Sequence, residues 1–132
     1  MARLKLKLQL YCGDEIAMGP GKADLLDAIA RDGSISAAGR AMGMSYRRAW
    51  LLVDTMNRCF AKPLVATHSG GGKQAGAKLT ADGEAALAAY RGLSAQVEGG
   101  VASGDYAALE AAIRPDPLQQ APSASLRSAP PP

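Results

Sequence analysis

The sequence predicts an α+β fold, mostly helical, on three observations. Apolar periodicities order the chain as strand, helix, helix, helix, hairpin, helix. In its middle, a short helix rich in small residues is separated by a glycine turn from a longer helix headed by a capping serine. A glycine-rich, basic stretch then joins two short strand-like runs. This is the pattern of a winged helix-turn-helix with an N-terminal strand and a two-stranded wing.

Each element has a local cause. Leu4-Lys5-Leu6-Lys7-Leu8-Gln9-Leu10 alternates with period two, which predicts a strand with its leucines on one buried face and a charged face outside; Gly13-Asp14-Glu15 ends it. Pro20 suits a first helical turn, Leu25, Leu26, Ile29 and Ala30 follow at helical spacing, and Gly33 stops this helix. Ser34 caps a short helix, Ile35 to Met42, whose Ala37, Ala38, Gly39 and Ala41 admit a close neighbour. Gly43 turns the chain and Ser45 caps a third helix to about Phe60, before Pro63. On it Tyr46, Ala49, Trp50, Val53, Met56 and Phe60 form one stripe, so Trp50 and Val53 are expected in the core. Leu64 to His68 and Ala77 to Leu79 read as the wing strands, with the Gly-rich tip Ser69 to Gly76 between them. Thr80 caps a fourth helix, with Asp82 and Glu84 placed favourably for its dipole, and Gly99-Gly100 closes it.

At 132 residues the chain is about one domain. Residues 1–98 are expected to form it. Residues 99–132 read as an Ala/Gly/Pro-rich tail with a weak helix at about 105–114, disordered beyond, because it offers little apolar surface to bury. The formal net charge is +3, but the distribution is uneven. Between Ser34 and Thr80 stand seven basic residues, Arg40, Arg47, Arg48, Arg58, Lys62, Lys73 and Lys78, against Asp54 alone. Such a local excess suits a polyanion, or an ordinary solvated surface.

The chemistry of the middle segment favours nucleic acid. The first turns of the second helix of such a pair enter the major groove. Arg47 and Arg48 sit there, and a guanidinium can donate two parallel bonds to guanine. Ser34, Ser36, Ser45 and Tyr46 are candidates for phosphate or base contacts, although Tyr46 fits a core position equally well. Lys73, Gln74 and Lys78 would let the wing follow a phosphate backbone, with His68 as a polar neighbour.

Other classes find less support. The nucleotide-binding loop pattern fails, because Gly72-Lys73 is followed by Gln74 and its first glycine position holds Thr67. No paired carboxylates, nucleophile with base or metal-ligand spacing is visible, so no catalytic residue, cofactor or metal is expected. Cys12 and Cys59 form no CxxC motif and are expected as reduced thiols in a cytoplasmic protein. No apolar run approaches the roughly 20 residues needed to span a membrane, and the alternating N-terminus lacks a signal-peptide core.

Gly33-Ser34-Ile35-Ser36-Ala37-Ala38, Met44-Ser45-Tyr46-Arg47-Arg48-Ala49-Trp50, Met56-Asn57 and the glycine wing through Leu79-Thr80 together resemble the N-terminal domain of ModE, the molybdate-responsive regulator of bacteria. The resemblance covers about residues 4–98. It implies a homodimer that binds double-stranded operator DNA and regulates transcription. In that family molybdate is held by separate C-terminal domains, and the thirty or so residues after the fourth helix leave no room for them, so molybdate is not expected to bind this chain. The alternative is a winged-helix protein-interaction module without DNA binding, for which the apolar strand and Leu51 would serve. Dimerisation is expected through the first helix (Leu25, Leu26, Ile29), the N-terminal strand or the fourth helix (Leu87, Tyr90).

Overall fold

The computed structural model describes residues 2–68 and 76–120. Residues 6–100 form one compact unit; the two ends of the chain belong to a second. In the first, β1 (Leu10–Cys12) and β2 (Glu15–Met18) precede three helices, α1 (Pro20–Asp32), α2 (Ile35–Ala41) and α3 (Tyr46–Cys59). The hairpin β3 (Val65–His68) and β4 (Gly76–Leu79) follows, and α4 (Ala81–Gly99) closes the unit. This is an α+β winged helix-turn-helix with two separate two-stranded antiparallel sheets.

The N-terminal region differs from expectation. The leucine–lysine alternation from Leu4 does not pair as a strand; pairing begins only at Leu10. β1 and β2 form a hairpin about Gly13-Asp14, with Cys12 opposite Glu15 and a register shift between Leu10 and Tyr11. Gly13 has φ +59°, which a two-residue hairpin turn needs at its first position and which glycine adopts without a steric penalty. Leu4, Leu6 and Leu10 are exposed and Leu8 is half-buried, so the four leucines do not share a buried face. The reason is that the strand spans three residues, too few for a face of four.

The core lies where α1, α2, α3, the wing and α4 meet. Met18, Leu25, Leu26, Ile29, Met56 and Leu64 are its largest fully buried side chains, with Ile35, Val53, Val65 and Tyr90 around them. The α1 residues proposed for dimerisation thus fill this chain's own core and are not available to a partner. Between α2 and α3 the backbones approach closely: a Cβ on Gly39 would lie 3.0 Å from the Ala49 Cβ.

The wing is fixed at both ends. Gly33 ends α1 with φ +76°, its N–H donating to the Ile29 carbonyl. Its own carbonyl accepts the Ala77 N–H at 2.9 Å, which ties β4 to the α1–α2 corner. At the other end, the Asn57 side chain accepts the N–H groups of Leu64 (2.8 Å) and Val65 (3.2 Å) and donates to the Val65 carbonyl (3.1 Å). Thr80 donates its N–H to the Leu64 carbonyl and its hydroxyl to the Pro63 carbonyl, and the hydroxyl caps α4 by accepting the Gly83 N–H. Gly83 itself presses against Leu64: a Cβ there would come within 2.0 Å of the Leu64 carbonyl oxygen. From α4, buried Tyr90 donates to the Leu8 carbonyl at 2.8 Å.

Surface ion pairs decorate this frame. Arg58 donates to Glu15 through two nitrogens (2.8 and 3.0 Å) and to Asp54 (2.9 Å), and its hydrogen bond to Glu15 holds the Glu15 carboxyl below its usual range. Arg91 spans Asp24 and Asp27. In the second unit, α5 (Gly104–Ala112) is capped by the Ser103 hydroxyl and buries no residue. Residues 121–132, where disorder was expected, lie outside the described residues.

The contact at Gly83 gives a direct test. Gly83→Ala should destabilise the domain by about 2 kcal/mol or more, because backbone has to move to admit the methyl group. Gly92→Ala, on the exposed part of the same helix with nothing within 4 Å of its Cβ, should instead stabilise it by about 0.5–1 kcal/mol. Urea unfolding of both variants checks the contrast.

Candidate nucleic-acid interface

The candidate surface is built from α2, the start of α3 and the wing. Ser45 caps α3, its hydroxyl oxygen accepting the Arg48 N–H at 3.1 Å. That fixes the direction in which the first turn of α3 leaves the Gly43 corner, where φ is +71° and the Met44 N–H closes back on the Gly39 carbonyl. Ser34 caps α2 in the same way, accepting from the Ala37 N–H at 3.0 Å. A hydroxyl that accepts from a helix N–H keeps its own proton to donate, so neither cap exhausts its serine.

Arg47 and Arg48 are exposed, as are Ser36 and Ser45, while Ser34 is half-buried. Among the described residues neither arginine has an ion-pair partner, nor do Arg40, Lys62 and Lys78. Arg58 differs: engaged by Glu15 and Asp54, it adds no uncompensated charge to the basic stretch in which the sequence placed it. Lys22, on α1, stands within the electrostatic reach of Arg48, Glu15 and Cys59. Burial lowers its ammonium below the usual range and the nearby Arg48 lowers it further, although Cys59 and Glu15 act in the opposite sense.

Trp50 is the main correction. Expected in the core, it is 44% exposed, and Tyr46 is 57% exposed. The helical geometry explains the difference. The buried line on α3 runs through Ala49, Val53 and Met56, and at about 100° per residue Trp50 lies roughly a quarter turn off it. Tyr46 and Trp50, four apart, therefore share the flank facing the wing, while Leu52, half-buried, covers the opposite flank. Leu51 is also exposed, at 48%.

An open cleft of about 460 Å³ separates this flank from the wing. Tyr46 and Trp50 line one side, Ser34 and Ser36 its end, and Thr67, His68 and Gly76 the other side. The structure thus unites Ser34, Ser36 and Tyr46, with Arg47 and Arg48 on the same turn of α3 as Tyr46. Lys78 is exposed on β4 opposite Ala66, alternating with buried Ala77, and does not line the cleft. Lys73 and Gln74 lie outside the described residues. Sequence reasoning missed Trp50 and Thr67 as members of this surface. The angular offset of Trp50 from the Ala49–Val53–Met56 line was available as a signal.

A helix-turn-helix whose second helix opens on two exposed arginines, beside a hairpin across a cleft, defines a winged-helix protein with a surface suited to nucleic acid. The chain is 41% identical to the molybdenum-pterin-binding protein MopB of Rhodobacter capsulatus over 111 residues, which is 84% of this chain and 39% of MopB. It is 38% identical to the molybdenum transport protein ModE of Azotobacter vinelandii over 82 residues, 62% of this chain and 30% of that protein. It is 36% identical to the DNA-binding transcriptional dual regulator ModE of Escherichia coli K12 over 95 residues, 72% of this chain and 34% of the regulator. The chain is therefore related by homology to the ModE and Mop proteins, and it spans less than two fifths of the length of each of these relatives. No protein-family model matches it. Among the described residues no helix is long and apolar enough to cross a membrane.

The position of Trp50, the chain's one tryptophan, can be checked in solution. Its fluorescence in the free protein should be red-shifted and readily quenched by acrylamide. Trp50→Ala should cost less than about 1 kcal/mol of stability, as surface substitutions do. Met56→Ala, at a fully buried position six residues further on, should cost about 2–5 kcal/mol.

Proposed function

We propose that this chain is a DNA-binding transcriptional regulator that acts on operator DNA as a homodimer. The observation that carries the proposal is the first turn of α3. It presents Arg47 and Arg48 to solvent, without ion-pair partners among the described residues, beside a cleft closed on its far side by the wing. Two guanidiniums on one helical turn can read guanine edges in a major groove, where an ammonium would act only as a point charge. Tyr46 and Ser36 can donate to flanking phosphates, and Thr67 and His68 bring the wing to the adjacent backbone. Trp50 and Leu51 offer apolar surface to thymine methyl groups. The printed name of the Escherichia coli relative, a DNA-binding transcriptional dual regulator, supports the same reading.

Leu6, Leu10, Leu93 and Val97 remain exposed or nearly so on the 6–100 unit, and they support a dimer surface on the N-terminal segment and α4. Two-fold pairing would set two copies of α3 one helical turn of DNA apart, about 34 Å, or a multiple of it. The protein-interaction reading draws on the same Trp50 and Leu51, but it leaves the paired arginines without a purpose.

Duplexes selected from a random pool by the purified chain should contain an inverted repeat. On such a duplex Arg47→Ala and Arg48→Ala should each weaken binding by about 1–3 kcal/mol and relax the sequence preference, with the thermal midpoint unchanged. Normal binding by the double variant would refute the assignment. The same measurement with molybdate added should give the same affinity, since we assign the oxyanion no site in this chain; a molybdate-dependent change would show that it has one.

A further inference from the structure

The two cysteines are far apart in the sequence, but the fold brings them together. Cys12 ends β1 and pairs across the hairpin with Glu15. Glu15 grips the Arg58 guanidinium at 2.8 and 3.0 Å, and Arg58 immediately precedes Cys59, the last residue of α3. The ion pair draws the hairpin onto the end of the helix and so brings the two cysteines to the same corner of the fold. Both are free, Cys12 exposed and Cys59 half-buried. The charges around them are those of Arg58, Glu15 and Lys22. Along α3 they lie about 20 Å from the Ser45 turn, at 1.5 Å per residue, so nucleic-acid contacts do not account for their pairing.

We propose that Cys12 and Cys59 form a reversible dithiol–disulfide pair, oxidised by hydrogen peroxide, that staples the β1–β2 hairpin to the end of α3. Cys12 is the thiol that meets the oxidant, because it is exposed. Cys59 is held protonated above its ordinary range, chiefly by burial and then by the neighbouring Cys12 thiol, which suits it to the resolving role. In the first step the Cys12 sulfur attacks one peroxide oxygen and the O–O bond breaks. The departing hydroxide takes the thiol proton and leaves as water, and Cys12 becomes a sulfenic acid. In the second step the Cys59 sulfur attacks the Cys12 sulfur. The S–O bond breaks, and the hydroxyl leaves as water with the Cys59 proton. Two thiols lose two electrons and two protons, and one peroxide becomes two waters. A dithiol reductant reverses the bond by exchange.

The test is intact-mass spectrometry, with alkylation under denaturing conditions, after a few equivalents of hydrogen peroxide. The expected product is a monomer lighter by two hydrogens, with no alkylatable thiol. It should form at least about tenfold faster in the folded chain than in guanidinium, since the fold supplies the proximity. Its thermal midpoint should rise by several degrees, on the order expected for closing a loop of this length, and return on reduction. Cys12→Ser and Cys59→Ser, with folding verified by circular dichroism, should give only oxygen addition or linked dimers. The proposal is overturned if the folded chain mainly gains oxygen or forms linked dimers, or if it pairs no faster than the unfolded one.

Discussion

The Leu64 peptide is the point on which this domain turns. Its N–H is held by the Asn57 side chain from α3, and its carbonyl by the Thr80 N–H at the start of α4. The carbonyl also lies against the Cα of Gly83, where no side chain fits. A buried peptide has to satisfy both of its polar groups, and here two different elements do so. Because β3 starts at the next residue and β4 ends at the residue before Thr80, the same contacts set the root of the wing against α3. The second anchor, from Ala77 N–H to Gly33 carbonyl, ties the returning strand to the corner between α1 and α2. The width of the cleft between Tyr46, Trp50 and the wing follows from these few bonds.

Much of the fold was legible because its signals are local. Ser34, Ser45 and Thr80 are caps in the sequence and caps in the structure, each accepting the N–H three residues on. Gly33 and Gly43 mark corners in both, and their positive φ values explain why glycine stands there. The N-terminal strand was placed too early and its hairpin was missed, because the Leu-Lys alternation has the right period, whereas Gly13-Asp14 between two short runs is the turn that sets the register. Asn57 illustrates what a single sequence hides. It sits at helical spacing like any polar residue, and its three bonds to Leu64 and Val65 exist only once the chain has turned back after Pro63.

The same division holds at the candidate interface. Arg47 and Arg48 were placed by the capping serine and the turn, both local features. Trp50 was misplaced because an apolar stripe was drawn too wide; in a helix with Ala49, Val53 and Met56 inward, a large aromatic at its margin is left half in solvent. Such a residue is costly to expose unless it meets something, and across the cleft the wing offers it Thr67 and His68 beside the small Gly76 and Ala77. Arg58 shows the converse: a basic residue in the right stretch of sequence whose charge is taken by Glu15, from a hairpin some forty residues earlier. Counting charges along the chain overstated the basic surface, and only the tertiary pairing shows which cations remain.

The central claim is that the start of α3 and the wing contact duplex DNA as one surface. Amide and indole shifts in a nitrogen-15 NMR titration with a selected duplex test it most directly. The account predicts that Ser36, Ser45 to Arg48, the Trp50 indole, Thr67 and His68 shift together and saturate at one stoichiometry, while α4 amides beyond Arg91 respond less. Unmoved resonances at the Ser45 turn, with the changes confined to α4 or absent altogether, would contradict it.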